Sequence, residues 1–287
     1  MSYFIYMSHY ITLDKAREHK KHYENFPVAT IIFPKKIRDA ATLLYQFARE
    51  CDDIADEGSF SEQHRLLCLK EYKKQIVNLK KKKVIRTSLF SDIKKVVDNH
   101  ELNQSLFDRF ILAFEQDIKK NNYQTIEELI SYCNNAANPA GEMILTLFKQ
   151  NTKENIVYSN SLCTALALLG MAQDIPEDYN KGRIYIPKNE MKKFKLSPTD
   201  IKNKNFGRNW IIYKKFWIKR IEDILQHGKP LEKRLEGRLK LQIRILIKAA
   251  ELLTKRINKS KCDLFNHPPK LSKLDWLCIT LKSIIPL

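Results

Sequence analysis

Two acidic clusters set the chemistry open to this chain: Asp52-Asp53-Ile54-Ala55-Asp56-Glu57 and Asp174-Ile175-Pro176-Glu177-Asp178. Each places two carboxylates at i and i+4, one face and one turn apart on a helix. Like charges at that spacing cost a helix about a few tenths of a kcal/mol in water, and more where the face is buried. A cation is the simplest compensation. Mg²⁺ suits the donors, because this hard ion takes a few carboxylates, several waters and the phosphate oxygens of a substrate. The spacing points to Asp52, Asp56, Asp174 and Asp178 as the carboxylates of a Mg²⁺–diphosphate site.

The residues around the clusters extend that chemistry. Tyr45, Arg49, Asp52 and Asp56 are spaced 4, 3 and 4 apart, the rhythm of a core-facing stripe carried by polar side chains. A solvated acidic face would account for this first cluster equally well. The second cluster tips the balance, because it follows Ser161 to Ala172, a stretch apolar on every side and hence expected to be buried. Arg49 and Arg183 are candidates to clamp a diphosphate, since guanidinium forks match phosphate oxygens. Phe26, Tyr45 and Tyr132, with the small residues Ala136, Ala140 and Ala167, would line an apolar cavity suited to a long hydrocarbon. Aromatic faces there would stabilise a carbocation by about 1–2 kcal/mol each when desolvated. Ordinary core packing explains Phe26 and Tyr132 just as simply when they are taken alone.

The elements that must position these residues are helical almost throughout. The 3.6-residue period predicts helices over 12–23, 35–57, 61–82, 88–99, 103–119, 125–150, 154–175, 208–227, 230–258 and 271–285. Pro34 suits a helix start. Pro176 cannot donate to the carbonyl of Ala172 and should end or kink the helix beside the second cluster. Asn121-Asn122 and Gly228-Lys229-Pro230 read as turns. No alternating run is long enough to argue for a sheet. The expected fold is all-α, a single-domain helical bundle over residues 1–287, since no repeat, low-complexity segment or Gly/Ser linker divides the chain.

Composition narrows the partners. With 51 Lys+Arg against 33 Asp+Glu, a net charge of +18 admits nucleic acid, anionic lipid or a phosphorylated small molecule. No recognised nucleic-acid module accompanies the charge, so nucleic acid is not expected. Six scattered cysteines without a C-x-x-C pair read as reduced thiols of a cytoplasmic protein. Met1 to Tyr10 lacks a basic n-region and a small-residue cleavage site, so no signal peptide is expected. The apolar stretch Leu162 to Ala172 is too short for a membrane span. The C-terminal segment from Leu274 to Ile285, with Trp276 and flanking Lys270, Lys273 and Lys282, fits either a helix packed on the bundle or peripheral contact with an anionic membrane face.

Taken together, Tyr45-x-x-x-Arg49-x-x-Asp52-Asp53-x-x-Asp56 and Asp174-x-x-x-Asp178, followed by Gly182-Arg183-Ile184-Tyr185, resemble the squalene/phytoene synthase family over nearly the whole chain. Four longer motifs are similar to its hydroxysqualene synthase branch, which serves bacterial hopanoid and squalene biosynthesis. They are His22 to Ala29, Phe47 to Gly58, Tyr132 to Gly141 and Gln173-Asp174. Asp275-Trp276 also fits. The resemblance implies an isoprenoid synthase in which Mg²⁺ bridges the Asp pairs and a diphosphate. By position, Asp52, Asp56, Asp174 and Asp178 would carry metal, and Tyr45 and Arg49 would join them in catalysis. Phe26, Tyr132, Ala136, Ala140, Gln173, Arg183 and Tyr185 would bind substrate. The implied reaction turns presqualene diphosphate and water into hydroxysqualene and diphosphate, between a companion presqualene diphosphate synthase and a flavin-dependent reductase. Head-to-head prenyl transfer to presqualene diphosphate or phytoene is the alternative, and a non-catalytic pathway subunit a third. The chain departs from the family where Gln and Asn usually precede the second motif by seven and four residues: it has Ala167 and Gly170.

Overall fold

A computed structural model describes residues 31–80, 87–259 and 262–284, and every regular element among them is an α-helix. Phe26, the rest of the His22 to Ala29 motif and the helix expected at 12–23 lie outside the described residues. The first long helix, α1 (Lys35–Asp56), begins behind Pro34, whose carbonyl accepts from the Arg38 amide at 2.9 Å. It buries Ala40, Ala41, Leu44, Phe47, Cys51, Ile54 and Ala55, a helical stripe that leaves its carboxylates on the adjoining face. α2 (Glu62–Lys80), α3 (Ser88–His100) and α4 (Ser105–Lys119) pack on that stripe. They form one apolar cluster around Phe47, Leu69, Phe90, Phe107 and Ile111.

The expected helix over 125–150 is two helices, α5 (Ile126–Ala136) and α6 (Asn138–Leu147). Pro139 has no amide hydrogen, and its ring excludes the carbonyl four residues back, so the chain breaks at Ala137. α7 (Lys153–Gln173) follows, with Thr152 accepting from the Asn155 amide at 3.2 Å as its N-cap. By length and apolar composition α7 could cross a membrane, but it packs chiefly on α6 and on α11 (Arg208–Gly228). With α12 (Pro230–Arg234) and α13 (Gly237–Ile257) these helices enclose a second apolar cluster around Leu162, Leu169, Trp217, Ile218 and Leu253. Ile37 and Ile144 pack against both clusters and join them.

Three short helices occupy a region where the sequence reading placed none: α8 (Ile175–Asn180), α9 (Lys188–Lys193) and α10 (Pro198–Lys202). Each opens at a proline (Pro176, Pro187 and Pro198), and five or six residues are too few to display a helical period. The helix expected over 230–258 also divides, because Gly237 turns the chain at φ +58° between α12 and α13. α14 (Lys273–Ile284) closes the described chain and packs on α13.

The connection from α8 to α9 matters most for the site. It lies along the α4–α5 turn, where the Ile184 amide donates to the Asn121 carbonyl and the Lys188 amide to the Tyr123 carbonyl, both at 2.9 Å. Asn122 and Ile184 form an isolated parallel bridge. Backbone pairing thus straps residues 184–188 across the molecule and holds Arg183 over the C-terminal turn of α1.

Candidate active site

The two acidic motifs reach one place by different means. Asp52 and Asp56 sit on the last turn and a half of α1. Asp174 caps the end of α7, where Pro176 prevents continuation, and its carbonyl accepts from the Asp178 amide at 2.8 Å. The chain therefore bends at the proline yet keeps Asp174 and Asp178 one turn apart. Arg183 then ion-pairs with Asp56 across 127 positions, and Lys181 reaches the second Asp56 oxygen at 3.0 Å. Arg49 lays its fork over its own helix, on Asp52 at 2.9 Å and Asp53 at 2.8 Å.

The carboxylates are poorly solvated and crowd one another. Burial first, and then the charge of Asp56, push Asp52 up to about 6. Burial and Glu177 bring Asp174 to about 6, and burial and Asp174 bring Asp178 to about 8. Burial also pushes on Asp56, but the Arg183 and Lys181 hydrogen bonds and charges outweigh it and hold that carboxyl below its ordinary value. Only one of the four is thus compensated by the protein's own cations strongly enough to favour its charged form.

A fifth carboxylate joins them. Asp117, on the last turn of α4, is 7 % exposed and accepts from the Tyr132 hydroxyl at 2.8 Å, while its other oxygen is buried without a hydrogen bond among the described residues. Burial raises it to about 7, against the opposing pull of Arg183 and of the Tyr132 hydrogen bond. The sequence reading missed Asp117, although a signal was present. It continues the buried series Leu106, Phe110, Ala113 at spacings of 4, 3 and 4, a charged residue in core register. Lys181 was missed too, and nothing marks it apart from its place two residues before Arg183.

Aromatic rings border this charge cluster. Tyr123, Tyr132 and Tyr185 form a triangle with centroids 5.6, 5.8 and 5.9 Å apart, and the Tyr185 hydroxyl accepts from Arg183 at 3.4 Å. A cleft of about 540 Å³, open solvent at its mouth included, runs from Asp178, Arg183 and Tyr185 to Trp210, Tyr213 and Trp217. Tyr45, Tyr132, Ala136 and Ala140 do not line it. Tyr132 is instead buried beside Asp117, Ala136 packs on the α7–α11 cluster, and Ala140 packs on the α1–α4 cluster. Tyr45 is half-buried one turn before Arg49. Gln173 is 2 % exposed and donates to the Pro269 carbonyl at 2.5 Å.

The donors fit a hard divalent ion shared with a diphosphate, and fit less well an ion held by protein alone. No group of three or more His, Cys, Asp or Glu side chains gathered for a metal occurs among the described residues. The donors come as separate pairs of oxygen ligands with raised pKa values and one orphaned buried oxygen at Asp117. Mg²⁺ usually takes one or two carboxylates per ion, with water and phosphate completing its shell. A Cβ built on Gly170 would meet no described atom within 4 Å, so the α7 face leading to Asp174 is open beside them.

Comparison with known proteins places this arrangement. The sequence profile of the squalene/phytoene synthase family matches residues 19–275. The hydroxysqualene synthase of Zymomonas mobilis subsp. mobilis is 28 % identical over 252 residues, 82 % of this chain and 79 % of that protein. A 15-cis-phytoene synthase of Enterobacter agglomerans is 25 % identical over 57 % of this chain and 58 % of its own length. The crystal structure of a squalene synthase from Alicyclobacillus acidocaldarius superposes with a TM-score of 0.76 at 26 % identity, covering 88 % of this chain and 94 % of that one.

Proposed function

Because the chain belongs to the squalene/phytoene synthase family, we propose that it converts presqualene diphosphate and water into hydroxysqualene and diphosphate. The observation that carries this reading is the junction of the two Asp motifs through Arg183 and Asp56, which gathers carboxylates and guanidinium at one end of an apolar cleft. Asp52, Asp56, Asp174 and Asp178 would hold Mg²⁺, which supplies positive charge against the departing diphosphate. Arg183 and Lys181 exchange their hold on Asp56 for diphosphate oxygens, and Arg49 does the same from Asp52 and Asp53. The carbon–oxygen bond breaks with its electron pair leaving on the diphosphate. The cyclopropylcarbinyl cation rearranges in the cleft beside the Tyr185, Trp210, Tyr213 and Trp217 rings, whose faces stabilise positive charge. Asp117 fixes the Tyr132 hydroxyl. Water then forms the new carbon–oxygen bond and releases a proton, so no reductant enters. A synthase of presqualene diphosphate would supply the substrate and a flavin-dependent reductase would consume the product, all in the cytoplasm.

The similarity to a phytoene synthase favours a second reading of the same site, head-to-head prenyl transfer to presqualene diphosphate or phytoene. Incubation with presqualene diphosphate separates the two. Hydroxysqualene formed only with Mg²⁺ supports the first reading. No product from it, with presqualene diphosphate made from farnesyl diphosphate or phytoene made from geranylgeranyl diphosphate, supports the second, and inertness toward all three substrates rejects both.

A further inference from the structure

α14 is amphipathic in an unusual sense, because its inner face is already satisfied. Ser272 and Asp275 cap its start reciprocally: the Ser272 amide donates to Asp275 at 2.7 Å and the Asp275 amide to the Ser272 hydroxyl at 3.2 Å. Arg256 holds the Asp275 carboxylate with two hydrogen bonds, at 2.8 and 2.5 Å. At the other end, Arg244 donates to the Ser283 carbonyl at 2.8 Å and Lys248 to the Lys282 carbonyl at 2.5 Å. Ile279 and Ser283 are buried against α13. The helix is therefore fixed to the bundle at both ends and along one face.

The opposite face carries Leu274, Leu277, Leu281 and Ile284, which are 72, 55, 52 and 57 % exposed. Their spacing of 3, 4 and 3 gathers them into one stripe. At about 100° per residue, exposed Lys273 lies about 20° beyond one edge of the stripe, and exposed Lys282 flanks the other edge about 80° away, past Cys278. Asp275 is the only acidic residue between 269 and 284, and Arg256 neutralises it. The outward surface is therefore apolar along its centre and cationic along both margins. That pattern complements an anionic bilayer, with acyl chains meeting the leucines and headgroups meeting the lysines. A second copy of the chain would set lysine margin against lysine margin if the stripes met face to face.

We propose that α14 docks the protein on an anionic lipid surface through Leu274, Leu277, Leu281 and Ile284, with Lys273 and Lys282 at the headgroups. The surface stands on the geometry of α14 and does not depend on which isoprenoid the site turns over. Its placement bears on the site nonetheless. The segment leading into α14 is tied to the end of α7 by the Gln173–Pro269 hydrogen bond, and Lys270 lies within electrostatic reach of Asp174.

Flotation of the full chain with vesicles tests the proposal. Binding is expected to phosphatidylglycerol vesicles at about 0.05 M salt, to fall at least tenfold at about 0.5 M salt as screening shortens, and to be weak with phosphatidylcholine. Leu277→Glu with Leu281→Glu should lower binding at least tenfold with unchanged circular dichroism, since both side chains are exposed. A second measurement uses the unsubstituted chain. A fluorophore on Cys278, the one exposed cysteine among the described residues, should be open to iodide quenching in solution and shielded only by the anionic vesicles. Absence of binding, equal binding of the double variant, or equal binding to phosphatidylcholine overturns the proposal. So does a Cys278 label shielded before any vesicle is added, because residues 1–30 or a second copy would then already cover the stripe.

Discussion

Arg183 holds Asp56 from the far side of the sequence, and this ion pair locks the strap after α8 onto the end of α1. Asp56 is the one motif carboxylate whose pKa is lowered, while Asp52, Asp174 and Asp178 are raised. Arg183 and Lys181 thus hold Asp56, and Arg49 holds Asp52 and Asp53, amid carboxyls whose ionised forms burial disfavours.

Replacing Asp52 with Asn should abolish turnover and leave the helical circular dichroism unchanged. The melting temperature of the variant should equal that of the parent near pH 4 and exceed it at pH 8, because only the ionised carboxylate is penalised by burial and by Asp56. Activity close to that of the parent would remove Asp52 from the proposed metal set.

The raised groups also predict how the metal-free protein responds to pH. Their stabilising contribution is complete below the ordinary value of 3.8 and is lost as pH climbs through about 6 for Asp52 and Asp174, 7 for Asp117 and 8 for Asp178. Asp56 acts oppositely, its contribution present above its ordinary value and lost in acid. Melting temperature without divalent cation should therefore fall between pH 5 and pH 8. Millimolar Mg²⁺ should restore it, more at pH 8 than at pH 6, since the ligands must be deprotonated. Calorimetric melts at both pH values check this, and a Mg²⁺ effect that shrinks as pH rises contradicts it.

Gly170 and Gly228 should respond in opposite directions to the same substitution. Gly170 lies inside α7 with no described atom within 4 Å of where a Cβ would stand, so Gly170→Ala should stabilise by about 0.5–1 kcal/mol through helix propensity. A Cβ on Gly228 would stand 2.8 Å from the Leu162 backbone nitrogen, so Gly228→Ala must push α11 off α7 and destabilise. Urea titration measures both. Gly170→Asn should likewise be accommodated, whereas Ala167→Gln must displace packing against the α7–α11 cluster, and activity assays of each then show whether polar groups at these positions aid the reaction.

Tyr132→Phe removes the one hydrogen bond that Asp117 accepts among the described residues. The cost should be about 1–3 kcal/mol and larger at pH 8 than at pH 6, because losing that bond raises a carboxyl already near 7 and leaves its ionised form without a partner. Equal destabilisation at the two pH values would mean that Asp117 does not change its charge across that range.

The long helices were legible because buried residues recur at 3- and 4-residue spacing, as Leu44, Phe47, Cys51 and Ile54 do in α1. The meeting of the two acidic motifs was legible only in part. Their carboxylates could be read from spacing and resemblance, but not the backbone strap from 184 to 188, which rests on amides and carbonyls that every residue carries. α8, α9 and α10 escaped for want of length. Asp117 escaped because one carboxylate at a charged helix end looks like surface until its register with Phe110 and Ala113 is counted. The hydrogen bond from Gln173, adjacent to Asp174, to the Pro269 carbonyl spans 96 positions and could not be read from spacing either.

The strap has a consequence for the order in which the molecule assembles. Arg183 and Asp56 are 127 positions apart, so their pairing demands closure of a long loop that local helix formation does not reward. Helices such as α1 and α4 can form and pack while Arg183 is still distant. The carboxylate crowd, and with it any affinity for divalent cation, then belongs only to chains that have completed the last long-range step. Recovery of Mg²⁺ binding during refolding should lag behind recovery of helical signal, making the ion a reporter of finished molecules.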